Sequence, residues 1–319
     1  MALYLALDSG GTKTDAVVHD EKGNIIARRI TPGCNAMDVG EDEASARIIT
    51  ALEGVREFFP DGRPDAAFCG LASKNYYGER LYGKAQRLFS DWNITWEDDG
   101  RGMITSVLGA GDGGCIVCGT GSSMFCRRGG EMMHTGGWGY LMDTVGSGFM
   151  LGRDALRASL RMFDGRGEKT LLYELTSEKL GAKPEDSIPA IYSGGRPFIA
   201  SFASTVFAAV KEGDSVAREI FALNAQALAD MTFVGERFYR APFDLVLSGG
   251  ILLNYPEYAE EVRRRGSRMA NMIRAEVPPV FGCALENVMY REGFDLPAFR
   301  ERFMKSYEVL APRVCGRLT

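Results

Sequence analysis

The sequence predicts an α/β protein built from two related halves, and three observations carry that prediction. Residues 3–97 alternate between strand-like and helix-like periodicity in the order β-β-β-α-β-α-β. A strand, a glycine-rich turn and two further strands then recur in CIVCGTGSSMFCRRGGEMMHTGG, from Cys115 to Gly137, about one domain length after the first such device. The chain has 319 residues, of which 45% are hydrophobic and 25% charged, ordinary globular usage for a chain of two domains.

The elements follow in order. Residues 3–8 form an aliphatic run closed by Asp8, and Ser9-Gly10-Gly11-Thr12 reads as a turn into a second strand at 14–20. Glu21-Lys22-Gly23-Asn24 turns the chain into a third strand at 24–30, giving an antiparallel meander. Over 41–58, Ala44, Ile48, Ile49, Leu52 and Val55 share one face at helical spacing. A short apolar strand at 66–71, a helix at 76–90 and a strand at 94–97 complete this half, and the last strand ends in Asp98-Asp99. Such an order sets antiparallel strands beside parallel ones and brings the carboxyl ends of the central strands to one edge, where Asp8 and Asp99 are both expected. The second half is mostly helical beyond Gly152, with helices expected at 144–162, 168–180, 197–212 and 214–238. A strand from Phe243 runs to Gly249-Gly250, a helix opens near Pro256, and the last helices are expected at 281–291 and 295–311. The domain boundary is expected at 112/113, giving domains 1–112 and 113–319.

Chemistry concentrates at the two glycine turns. In the first, Gly10 and Gly11 let backbone N–H groups face an anion, while Thr12 and Lys13 can reach phosphate oxygens. Asp8 at the mouth of the turn offers a carboxylate to Mg²⁺ carried in by a nucleotide, directly or through water. A plain hairpin with a Gly-Gly turn is the alternative reading of these residues. Gly109-Ala-Gly-Asp-Gly-Gly114 fits G-x-G-x-x-G, but it precedes a strand instead of opening a helix, so it is not a dinucleotide fingerprint. No Walker A pattern is present.

Other classes are disfavoured. The net charge of −5 gives no basic footprint for nucleic acid or for a membrane surface. The few apolar residues before Asp8 are too short for a signal peptide and no run approaches a membrane span, so a cytoplasmic protein is expected. Seven cysteines, at 34, 69, 115, 118, 126, 283 and 315, are expected to be reduced; Cys115 and Cys118 form the one CxxC, lie in a strand and read as a buried structural pair. Of the two histidines, His134 adjoins a glycine-rich segment, with strand or surface placement expected.

Taken together, the motifs identify a resemblance. The sequence resembles the sugar-kinase branch of the actin-like ATPase superfamily, and within it the N-acetylglucosamine kinase group of the BadF/BadG/BcrA/BcrD ATPase family. The likeness is carried by Asp8-Ser-Gly-Gly-Thr-Lys-Thr14, Gly33-Cys-Asn35 with Gly40, Gly70-Leu-Ala-Ser73, Asp99-x-x-Gly102 and Gly119-Thr-Gly-Ser122. Gly136-Gly-Trp-Gly139, Gly146-Ser-Gly148 with Gly152-Arg-Asp-Ala-Leu156, Ser248-Gly-Gly250 and Pro278-Pro-Val-Phe-Gly282 continue it over nearly the whole chain. The resemblance implies two ribonuclease-H-like domains with an interdomain nucleotide cleft, ATP and Mg²⁺ as cofactors, a small-molecule sugar acceptor and a homodimer. It also implies roles. Asp99 would be the general base on the sugar hydroxyl, with Asp98 the competing assignment, and Asp8 would hold Mg²⁺ through water. Gly10, Gly11, Thr12, Lys13, Gly119, Thr120, Gly121 and Ser122 would line the phosphates, and Gly249 and Gly250 would admit the adenosine. Asn35, Thr120, Gly137, Trp138, Asp143 and Thr144 would form the sugar side, with a core position the alternative for Trp138.

One departure bears on the acceptor. The family usually carries an acidic pair before Gly-Ser in the segment after Gly-Gly-Trp-Gly, and this chain has Thr144-Val145 there. A hydroxyl and an isopropyl cannot accept the paired hydrogen bonds that a carboxylate gives a sugar diol. Asp143, one residue earlier, can substitute only if the loop shifts, so N-acetylglucosamine, glucosamine or another amino sugar is the expected acceptor and an unrelated small alcohol stays open. Two further readings follow from the family: an ATPase that drives a partner protein, with an iron–sulfur cluster held by cysteines such as Cys115, Cys118 and Cys126, or a sensor that has lost catalysis.

Overall fold

A computed structural model describes residues 1–310 together with 313 and 314; Cys315 and the expected end of the last helix at residue 311 lie outside them. The chain divides into two compact units, one made of Met1–Asp112 and the segment from Ala275 on, the other of Gly113–Arg274.

The first unit is built on a sheet of β1 (Leu3–Ser9), β2 (Lys13–Asp20), β3 (Ile25–Pro32), β4 (Ala66–Leu71), β5 (Ile94–Glu97) and a short β11 (Arg313–Val314), in the order β11-β3-β2-β1-β4-β5. The meander β1-β2-β3 is antiparallel, and β4 and β5 continue from β1 in parallel. Alternation along β1 sorts its side chains between two faces. Leu3, Leu5 and Leu7 pack with Ile48, Leu52, Leu81 and Ala85 of helices Glu41–Arg56 and Glu79–Leu88, whereas Tyr4 and Ala6 pack with Phe281, Ala284, Phe299 and Phe303. The latter four belong to helices Pro279–Glu286 and Leu296–Val309, so the C-terminal segment, expected in the second domain, groups with the first unit. A sheet with parallel strands needs both faces covered, and the chain returns to supply the missing layer.

The second unit repeats the plan with β6 (Gly113–Cys118), β7 (Ser122–Arg128), β8 (Glu131–Thr135), β9 (Phe243–Ser248) and β10 (Ala270–Arg274), in the order β10-β9-β6-β7-β8. Again an antiparallel meander, β6-β7-β8, is followed by two parallel strands on the side of the first strand. Its core joins Ile116 and Met124 to Leu151, Phe207, Leu228 and Tyr258 from the helical layers.

Several elements differ from expectation. A helix at Asp99–Leu108 was not expected, because Gly100 and Gly102 lower its propensity by about 1 kcal/mol each. The short β10 and the helix Gly250–Asn254 were also not expected. The helix expected at 197–212 starts earlier and breaks: Ile188–Ser201 contains Gly195 at φ 66° and ψ −164°, and a separate helix covers Ala203–Lys211.

Candidate active site

At the C-terminal edge of the first unit's parallel strands, Asp8 stands in register with Gly70, and Gly70 with Glu97. The chain leaving β5 therefore delivers Asp98 and Asp99 to the edge where Asp8 ends its strand. Asp98 is the N-cap of the helix Asp99–Leu108: its carboxylate accepts from the Gly100 N–H at 3.1 Å and from the Asn75 amide. Asp99, the first helical residue, is only half-buried, and its carboxylate meets the backbone N–H groups of its own residue and of Gly100. Desolvation by the surrounding protein pushes the Asp99 carboxyl well above the usual range, and the charges of Asp98 and Asp8 push it the same way. Asp8 is pushed up to about 7 by desolvation and by Asp15, with Lys13 pulling in the opposite direction.

Glycines allow this crowding. A Cβ on Gly70 would lie 3.4 Å from both the Asp99 Cα and the Cys283 Sγ. One on Gly102 would come within 2.8 Å of Cys283 Sγ, and one on Gly282 would collide with the Gly102 carbonyl. The helix bearing Asp99 is thus seated backbone to backbone on Pro279–Glu286, and Glu286 locks the contact by accepting from Thr105 Oγ1 at 2.6 Å and from Arg101. Both glycines stand in the motifs noted above, but their contact was not legible from them.

In the first hairpin the Gly10 N–H donates to the Lys13 carbonyl at 3.0 Å, and neither Gly10 nor Gly11 adopts a positive φ. The expected use of their conformational freedom is corrected on this point. What the turn requires is a small residue opposite it: a Cβ on Gly33 would collide with the Gly11 carbonyl and lie 2.6 Å from that of Gly10. Thr12 and Lys13 are exposed at the tip, and Lys13 lies 3.6 Å from buried Asp15. Asp15 is held by Arg28 through bonds of 3.0 and 2.7 Å and accepts from Tyr307 Oη at 2.7 Å.

Within the second unit, the loop Gly119–Gly121 between β6 and β7 has all three carbonyls engaged. Gly119 accepts from Gly148 N at 2.8 Å, Thr120 from Phe149 N at 3.1 Å and Gly121 from Gly119 N at 2.8 Å. The first two donors are the opening amides of helix Gly148–Phe163, whose N-cap is Ser147. With its carbonyls turned inward, the loop presents little negative charge to a bound anion. The end of β9 lies beside it: a Cβ on Gly249, at φ 90°, would strike the Cys118 backbone at 2.5–2.7 Å, and Gly119 faces the Gly250 N. Gly119, Thr120, Gly121, Ser122, Gly249 and Gly250 therefore share one sheet edge.

The expected sugar-side residues divide between the units. In the first, Asn35 caps the short helix Ala36–Val39, its Oδ1 accepting from Met37 N at 3.0 Å, and its amide nitrogen lies near Gly11. Ser73, at a left-handed φ of 65°, accepts from Ala36 N at 3.1 Å and anchors that loop. In the second, Gly137 has φ 70° and no room for a Cβ against Ser123, while Trp138 is 56% exposed, which removes the core alternative for it. Thr144 is only 3% exposed: its hydroxyl accepts from Ser122 N at 3.2 Å and donates to Ser147 Oγ at 3.3 Å. Its side chain braces the Gly119–Ser122 loop from behind. Asp143 is half-buried, and its backbone N–H donates to Gly139 at 2.8 Å.

For a metal, no group of three or more His, Cys, Asp or Glu side chains converges among the described residues. A single carboxylate at a strand end, Asp8, suits Mg²⁺ that keeps its waters and arrives on a nucleotide. Cys34, Cys69, Cys115, Cys118, Cys126 and Cys283 are buried thiols. Burial pushes the Cys118 thiol far up and that of Cys126 up to about 11, so they are protonated and inert. His134 lies on β8, stacked on Phe125 at 4.6 Å. No helix among the described residues is long and apolar enough to cross a membrane.

These two units, each a meander with two parallel strands and helices, are the two-domain fold of the actin-like ATPases. A protein assigned as an N-acetylglucosamine kinase from Chromobacterium violaceum superposes with a TM-score of 0.69 at 18% identity, covering 89% of this chain and 98% of its own. A ROK family glucokinase from Streptomyces griseus, solved with glucose and AMPPNP, gives a TM-score of 0.54 at 18% identity over 91% of this chain and 100% of its own. The chain belongs to the BadF/BadG/BcrA/BcrD ATPase family, whose model matches residues 5–286. Among curated relatives, the N-acetyl-D-glucosamine kinase of Dictyostelium discoideum is 31% identical over 72% of this chain and 77% of its own length. The N-acetylmuramic acid/N-acetylglucosamine kinase of Clostridium acetobutylicum is 33% identical over 83% and 90%.

Proposed function

We propose that this protein is an ATP-dependent amino-sugar kinase that phosphorylates N-acetylglucosamine or a glucosamine-like acceptor by direct in-line transfer. The observation that carries this reading is the pairing of Asp99 with Asp8 at one strand edge, with Asp98 held beside them as the helix cap. The names of the curated relatives support the acceptor class.

The raised proton affinity of Asp99 suits a general base that must take a proton from a hydroxyl near neutral pH. As the sugar oxygen bonds to the γ-phosphorus, its proton passes to Asp99 and the bond to the β-phosphate oxygen breaks, leaving ADP. Asp8 would hold Mg²⁺ through water, and the metal would neutralise charge on the phosphates. The Gly10–Lys13 turn and the Gly119–Ser122 loop would bind the phosphates, and Gly249-Gly250 the adenosine. Asn35, Gly137, Trp138 and Asp143 would contact the sugar, with Asp143 taking the part that Thr144-Val145 cannot. We place the protein in the cytoplasm as a homodimer.

The partner-driving ATPase is disfavoured by the cysteines: Cys115, Cys118 and Cys126 have no exposed surface, so none can reach a cluster shared with a second subunit. The sensor reading is disfavoured by the retained Asp8 and Asp99. ADP release measured with Mg²⁺ against hexoses, hexosamines and N-acetylhexosamines, with a sugar-free blank, tests the proposal. Stimulation by an amino sugar is expected; release indifferent to every sugar would overturn it.

A further inference from the structure

Nothing in the motifs above draws attention to Arg196, yet its guanidinium lies against the second unit's loop, where a Cβ on Gly121 would collide with Nη2. The placement is built by the backbone. Helix Ile188–Ser201 leaves helical geometry at Gly195, and Pro197 follows directly, so Arg196 projects from a break and not from a regular helical face. Just beyond the break the chain is pressed onto helix Gly148–Phe163, for a Cβ on Gly152 would collide with the Ile199 carbonyl. The N-terminus of that same helix holds the carbonyls of Gly119 and Thr120. Loop and arginine are therefore referenced to one rigid element.

We infer that Arg196 is a phosphate-binding residue of the second loop, gripping the β- and γ-phosphates of the nucleotide, and that residue 121 is glycine to leave room for its guanidinium. The inference rests on the reading of Gly119–Ser122 as a phosphate loop. A planar guanidinium can present two parallel N–H donors to a phosphate, which a lysine cannot.

Binding of MgATP, MgADP and AMP to the full-length protein and to Arg196→Gln and Arg196→Lys, measured by calorimetry, separates this role from a structural one. Arg196→Gln should weaken MgATP and MgADP by about tenfold or more, as loss of bonds to a charged group does, and leave AMP within about threefold. Arg196→Lys should fall between. Gly121→Ala should weaken MgATP similarly and add little when combined with Arg196→Gln. Equal loss for all three nucleotides, no loss, or full additivity would overturn the inference. A wild-type protein that binds nucleotide but releases no ADP with any sugar would overturn the kinase reading alone, and the nucleotide series would still decide Arg196. A wild type that binds no nucleotide would overturn both.

Discussion

The two units share a strand order but not a chemistry. In the first, the strand entering the glycine turn ends in Asp8 and the outermost parallel strand runs on into Asp98-Asp99. In the second, the equivalent strand ends in Cys118 and Gly119-Thr120-Gly121, and the outermost strand ends at Arg274. A common topology builds the same edge twice, and the residues just past the strand ends decide what each edge does. The first gathers carboxylates whose ionisation is disfavoured; the second gathers glycines, hydroxyls and an arginine suited to anions.

The sharpest way to break this comparison is Asp99→Asn, which should lower kcat by about 10³-fold, as expected for loss of a general base. The same change should raise the melting temperature at neutral pH. With its folded-state pKa above the unfolded value, Asp99 contributes stability only while protonated, and that contribution is lost as pH rises, so removing the charge relieves the folded state. In the wild type, kcat should fall as pH drops through the raised pKa, because the base is then protonated. A variant that keeps its turnover would remove Asp99 from the mechanism.

How much of this was legible before the structure depends on the length over which the signal acts. The meander, the parallel strands and the edge holding Asp8 and Asp99 follow from local periodicity and the order of elements. The helix after β5 does not: Gly100 and Gly102 read as a loop, and only the backbone contact of Gly102 with Gly282, 180 residues away in sequence, gives the second of them a reason. The bonds of the Thr144 hydroxyl to Ser122 and Ser147 were not legible either, because a polar residue near a binding motif reads first as a ligand contact. Arg196 carried no motif, and only the glycine pair before it and the proline after it mark the break.

Gly249→Ala probes the second unit's edge. With φ at 90° and the Cys118 backbone in the way, the added methyl should destabilise the protein by about 1–3 kcal/mol, read as a shift in urea midpoint. Gly250→Ala, whose added methyl would make only an ordinary contact with Asn254 Nδ2 at 3.8 Å, should be nearly neutral, and equal effects would mean that the edge tolerates a different backbone path. Asp143→Asn tests where the acceptor is read. A roughly tenfold rise in KM for the amino sugar with KM for ATP unchanged is expected, and no change in either would assign the acceptor contact to another residue.

The smallest effect is expected at Lys13. It is exposed and 3.6 Å from Asp15, whereas Arg28 already holds that carboxylate with two bonds of 3.0 and 2.7 Å, so Lys13→Met should change stability by less than about 1 kcal/mol. Its consequence should instead appear at Asp8. Lys13 opposes the upward push on the Asp8 carboxyl, so its loss should raise the proton affinity of Asp8 and shift the acid limb of MgATP binding to higher pH. An unshifted limb with weaker binding at every pH would instead assign Lys13 to the phosphates directly, making the first unit's turn an anion site like the one we propose for the second unit's loop.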